Sequence, residues 1–203
     1  MPSLSRRTLL LTAAALPLAR PVRADARLGE VIDVTGSGTL VRAGATLPLA
    51  PGLALMEGDM ASTGEDGLAL LFLNEETRIN LGLSSSIELA SYLSEVGGTI
   101  NVGGALVFER PGTRPPVDLR FVTAFGEIGV RGTRFFVGPS RGDYAVFVDR
   151  GRVEVSNAGE TRVLAAGEGC SLYEGAAPGP VSAWGEARIA EAFAGLGLSR
   201  EEN

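Results

Sequence analysis

The sequence predicts an all-β body, and three observations carry that prediction. From Gly29 onward, short β-branched and apolar runs alternate with period two, the pattern of strands with one face buried. Each run stops at glycine, proline, asparagine or serine, the residues that supply positive φ or a fixed bend to a turn. Gly accounts for 28 of the 203 residues, about twice the usual share, and aromatics for only 6%. That balance suits many tight turns between short strands better than a helical bundle. A chain of this length buries roughly 70% of its unfolded surface, so a real core needs no disulfide staples.

The strands follow in order. Residues 31–35 end at Gly36-Ser37-Gly38, residues 39–42 at another glycine, and a proline-bounded loop covers 47–52. Runs at 68–73, 77–81 and 86–89 are separated by Asn74-Glu75-Glu76 and Gly82-Leu83-Ser84-Ser85, at a regular 8 to 10 residues per strand. A second series comprises 99–102, 105–109 and 119–123, interrupted at 110–116 by seven poor strand formers that predict a surface loop. Residues 130–137 then read as strand, glycine corner, strand, and 146–155 repeat the unit. These runs make one long β-domain, 25–174, rather than several small ones.

After Glu174 the composition changes to a linker, 175–182, and then a C-terminal helix and tail, 183–203. Ser182 offers an N-cap for a helix from Ala183 to about Leu196, with Ile189, Ala192, Phe193 and Leu196 on one stripe. A helix of some 14 residues is marginal alone. Trp184, Ile189 and Phe193 are therefore expected to pack, on an open end or face of the β-body or on a partner protein.

Composition excludes much chemistry. Histidine is absent, which removes serine–histidine hydrolysis, histidine general-base catalysis and histidine-rich metal sites. All 18 basic residues are arginine, a bias that genome base composition explains. The one cysteine, Cys170, cannot form an internal disulfide or a thiolate cluster and reads as a buried structural thiol. An acid–base carboxylate pair acting on a polysaccharide is the best enzyme candidate, drawn from Glu65, Asp66, Glu75, Glu76, Asp143 and Asp149. A turn-rich chain with 24 acids brings such neighbours together by chance, and no alternating calcium-type loop occurs. No catalytic, cofactor-binding or metal residue is expected.

Residues 1–24 read as an export signal, with Arg6 and Arg7 at its charged start, an apolar run of ten at 9–18, and cleavage after Ala24. Ten apolar residues cannot span a bilayer, which takes about 20. Ser5-Arg6-Arg7-Thr8-Leu9-Leu10-Leu11 resembles the twin-arginine export motif, with Leu9 where phenylalanine is usual and Leu11 where lysine is common. An ordinary secretory signal is the alternative. Without these residues the chain carries 14 basic against 24 acidic residues, net −10, which argues against nucleic acid or anionic lipid as a partner. No later segment has 18 consecutive apolar residues, so the mature protein is expected in the periplasm, soluble and without a membrane span. Its oligomeric state is left open.

From about residue 29 to 173, a series of pieces resembles, in order, the FecR domain family, a periplasmic domain first known from regulators of iron-citrate uptake. They include Gly58-Asp59-Met60-Ala61-Ser62-Thr63, Arg78-Ile79-Asn80-Leu81, Ser86-Ile87-Glu88-Leu89, Gly104-Ala105-Leu106-Val107-Phe108, Val130-Arg131-Gly132-Thr133-Arg134-Phe135 and Val148-Asp149-Arg150-Gly151-Arg152-Val153. The resemblance implies a solenoid-like stack of short strands, a β-sandwich being the alternative, and the apolar stripe of the C-terminal helix is expected to pack on it. It implies a sensing or protein-interaction role in envelope signalling, with an unidentified envelope protein as partner, no cofactor and no catalysis. The alternative is an exported β-solenoid that acts on or binds polysaccharide. The cytoplasmic anti-sigma segment, membrane helix and receptor-contacting domain of the typical regulator are not recognisable, so the chain resembles a stand-alone exported member. Where many relatives have aspartate-glycine-serine, it has Asn74-Glu75-Glu76. Gly129, Arg131, Gly132, Thr133, Phe135 and Gly151 carry the family motif and are expected to be architectural. Glycine at 129 and 132 suits a solenoid corner, with Arg131 pointing outward or capping carbonyls. Carboxylate binding by Arg131 and Arg134 is the alternative for those guanidiniums.

Overall fold

The computed structural model describes residues 27–74, 76–93, 97–111, 118–130 and 132–199. The expected signal segment with Arg6, Arg7 and Ala24 lies outside these residues, as do Glu75, Arg131 and most of the proline-rich loop. The described strands are β1 (Arg27–Thr35), β2 (Gly38–Arg42), β3 (Ala45–Pro48), β4 (Ala54–Met56), β5 (Met60–Thr63), β6 (Leu68–Leu73), β7 (Thr77–Leu81), β8 (Ser86–Leu93) and β9 (Gly97–Gly103). They continue as β10 (Leu106–Glu109), β11 (Asp118–Thr123), β12 (Gly126–Val130), β13 (Arg134–Ser140), β14 (Asp143–Arg150), β15 (Arg152–Asn157), β16 (Glu160–Ala165), β17 (Glu168–Leu172) and β18 (Ser182–Ala183), followed by helix α1 (Glu186–Ala194).

Two nine-stranded sheets result. Sheet A runs β18-β17-β14-β13-β10-β7-β6-β1-β4, and sheet B runs β16-β15-β12-β11-β9-β8-β5-β2-β3. The chain crosses from one sheet to the other after every one or two strands, so both sheets grow in the same direction along the sequence. Neighbours pair antiparallel except β9 and β11, which are parallel. The two large sheets fit the β-sandwich alternative. The pairing does not confirm a solenoid, whose rungs would stack strand on parallel strand, whereas here hairpins alternate between two faces.

Period two is what seals the space between the sheets. In β15, Val153 and Val155 point inward while Arg152 and Glu154 face solvent; in β6, Ala69, Leu71 and Leu73 are buried and the intervening residues half-buried. Inward residues of both sheets form one core. At its centre Phe121 of sheet B meets Phe108 at 4.9 Å and Phe135 at 5.1 Å, both edge-to-face, from sheet A.

Helix α1 gives sheet A a second buried face. Ile189, Ala192 and Phe193 pack with Trp184 and Leu196 against Val107, Phe136, Ala145 and Phe147, so β13 and β14 are buried on both sides. The helix differs from its sequence expectation in where it starts. Ser182 and Ala183 pair with Gly169 and Glu168 as β18, so Gly185 becomes the N-cap and nine residues are helical. Residues 175–182 run beside β17, with Gly179 N–H donating to Ser171 O at 2.9 Å. Leu47, expected in a loop, pairs with Leu40 in β3.

Candidate functional site

The family-motif residues come together at two sheet-crossing corners. Gly132, at φ +66°, turns the chain from β12 in sheet B to β13 in sheet A, and Gly151, at φ +90°, turns it from β14 back to β15. These left-handed conformations are cheap only for glycine. The corners nest: a Cβ on Gly151 would lie 2.8 Å from Thr133 Cγ2 and 3.1 Å from Gly132 O. Thr133 is fully buried and its carbonyl accepts the Arg110 N–H at 3.0 Å. Phe135 enters the aromatic core. Gly129 is different, lying in extended β12 opposite Glu154, where a Cβ would meet nothing nearer than 3.9 Å.

Arginines around these corners bond within the fold. Arg134, 3% exposed, lies 3.7 Å from Asp149 and over the Phe193 ring at 5.4 Å. Arg110 pairs with Glu76 at 3.0 Å and bonds Thr77 Oγ1 at 3.2 Å, while Arg150 donates to Glu109 and to Arg110 O. The carboxylates considered for acid–base work are dispersed. Asp66 accepts from the Ser37 hydroxyl and N–H, which hold its carboxyl below the usual range, the reverse of what a general acid requires. Asp143 accepts from Ser171 Oγ at 2.7 Å. Among the described residues, no three of Cys, Asp and Glu converge as a metal site. Burial raises the Cys170 thiol to about 11, so thiolate chemistry at neutral pH is suppressed.

Arg42 and Asp59 form a pair that the sequence reading did not single out. Asp59, 1% exposed, accepts Arg42 Nε at 2.8 Å and Nη2 at 2.6 Å, and also the Met56 N–H at 2.8 Å. The signal was faint: an acid between Gly58 and Met60 in an apolar context, with its arginine 17 residues away and no helical or strand spacing to link them.

The two broad outer faces are unequal. On sheet A, Trp184 stacks on Phe147 at 5.0 Å and carries the Arg188 guanidinium at 3.7 Å, while Arg188 Nε donates to Ser140 Oγ and Arg141 holds Glu191 in a two-bond pair. Trp184, Ile189 and Phe193, the candidate contacts, thus face the body of the protein. Among the described residues, no helix packs on the outer face of sheet B. There the missing side chain of Gly129 leaves a shallow groove between Arg120 and Glu154, bordered by Asp118 and Arg152. A second depression lies among Met60, Glu88, Asn101 and Val122 of the same face. Charges, amides and aliphatic side chains side by side on a sheet face suit protein contact.

Residues 59–154 match the model of the family described as FecR protein. This stretch is a FecR domain. It contains the Arg42 partner Asp59, both nested corners and the Gly129 groove. Two crystal structures of a proposed anti-sigma factor from Parabacteroides distasonis share the fold, each with a TM-score of 0.51 at 18% identity. The likeness covers 65% of this chain and 62% of that one, just under two thirds of its length. No curated protein matches the sequence. The FecR family is regulatory, and no helix among the described residues is long and apolar enough to cross a membrane.

Proposed function

We propose that this protein is a non-enzymatic, exported module of envelope signalling whose FecR domain binds another envelope protein through the outer face of sheet B. The family match over 59–154 carries this reading. It is supported by the outer face of sheet B, which presents the groove at Gly129 with Arg120, Arg152, Asp118 and Glu154 around it, whereas α1 covers β10, β13 and β14 of sheet A. Complementary charges on a rim of this kind steer and select a partner more than they tighten it. The dispersed carboxylates support binding rather than turnover.

Gly129→Arg tests the surface. The position is extended and has room for a side chain, so the variant keeps its melting temperature. Capture of the periplasmic partner recovered with the wild-type protein is expected to fall by at least about tenfold, 1.4 kcal/mol of binding. Unchanged capture removes the assignment to sheet B, and glycan turnover by the purified protein without any partner overturns the non-enzymatic reading.

A further inference from the structure

Sheets A and B end in four edges, of which three are blunted. β18 has two residues, β4 three, and β3 ends in Pro48, devices that keep strand edges from pairing. β16 is six residues long, contains no proline and exposes Val163 at 46%. The turn Ala158-Gly159, both at positive φ, fixes the β15–β16 register from Asn157↔Glu160 to Arg152↔Ala165. Ala165 donates its N–H away from β15, to Glu168 Oε2 at 2.8 Å. Backbone groups alternate direction along an antiparallel ladder, so the N–H and C=O of Thr161 and Val163 also face outward. Glu168 caps the Ala165 end, and the Thr161 carbonyl receives Arg162 Nη1 at 3.3 Å.

We propose that β16 pairs antiparallel with β16 of a second copy of this chain, making a two-fold dimer in which the two B sheets become continuous. Charge sets the register. With Thr161 opposite Thr161 on the axis, the outward groups of the two strands meet, and Glu160 of each chain faces Arg162 of the other. These side chains already attract within one chain, at 2.8 Å, so the pairing closes a ring of four alternating charges. The neighbouring register, with Arg162 on the axis, opposes two guanidiniums and is disfavoured. The contact is isologous, so it closes at two copies and does not grow into a fibre.

A contact of one short strand belongs to the weak class, below about 1,200 Å² of buried surface, so sedimentation velocity must extend to about 1 mM of the protein expressed from the whole chain. A monomer–dimer equilibrium is expected. Thr161→Pro removes an outward N–H without touching the β15 ladder, and Arg162→Glu sets like charges face to face; each should weaken dimerisation by at least about tenfold, one well-formed contact. The double variant Glu160→Arg, Arg162→Glu restores the alternation and should recover the wild-type equilibrium. Thr161→Cys should cross-link to itself on oxidation, and Val163→Cys, which faces Gly159, should not. Circular dichroism confirms that each variant is folded. A monomer at every concentration, a dimer insensitive to Thr161→Pro, or a double variant no better than Arg162→Glu overturns the proposal. So does β16 that pairs only with the strand of a different protein.

Discussion

Asp59 lies 1% exposed with both carboxylate oxygens bonded, to the Arg42 fork and to the Met56 N–H. Asp59→Ala leaves the Met56 N–H without its acceptor and Arg42, 27% exposed, without its carboxylate. It is expected to lower the unfolding free energy by about 2–3 kcal/mol, a large share of the 5–15 typical of a domain. Urea unfolding reads this as a lower midpoint at unchanged slope. A loss under about 1 kcal/mol, the ceiling for an exposed ion pair, would show that Asp59 is solvated after all. No sequence spacing joins residues 42 and 59; they meet because β2 and β5 are neighbours in sheet B. Gly132 and Gly151 were legible as corners, since positive φ is written in the residue type. Their nesting against Thr133 was not, because it depends on two crossings separated in the chain by β13 and β14.

Helix α1 shows the same division at the scale of an element. Its stripe of Ile189, Ala192 and Phe193 is readable from spacing, and burial of that stripe follows from the marginal stability of a short helix. Its first turn is not readable, because pairing of Ser182 and Ala183 with β17 competes with the cap that Ser182 could have made. That pairing also delivers Trp184 onto Phe147, above Gly169, where a side chain would collide with the indole. Phe193 is fully buried between Phe147 and the Arg134 guanidinium, so Phe193→Ala should cost about 3–5 kcal/mol. Trp184 is the one tryptophan, and its emission should shift to the red as the helix loosens. Unaltered emission with a loss below about 1.5 kcal/mol, the range of a tolerated core swap, would mean that α1 does not depend on this anchor. Among the strands, those with strong alternation, such as β7 and β11, and the apolar run of β6 were legible. β16, with Glu160-Thr161-Arg162 leading it, was not, since an edge strand needs little apolar pattern.

At the scale of the whole molecule, each crossing between sheets A and B places the next one or two strands in the other sheet, and the inward residues of both sheets share one core. Such a fold suits a route that carries proteins across already folded, which is the expectation from Arg6 and Arg7. Replacing both by lysine should reduce the periplasmic yield of the protein to a small fraction; an unchanged yield would assign the leader to the general secretory route. The sequence by itself determined that the chain is mostly β, where it turns sharply, that it resembles the FecR family and that histidine chemistry is absent. Those features are local, set by side-chain period, backbone permissiveness and residue inventory. Only the tertiary structure decided that strands alternate between two sheets, that α1 covers β10, β13 and β14 of sheet A, that Arg134 bonds inside the fold, and that β16 is the longest unblunted edge among the described residues. Strand pairing joins residues by hydrogen bonds between backbones, which every residue carries alike, so its partners are chosen by the packing of the whole core and not by any segment that forms it.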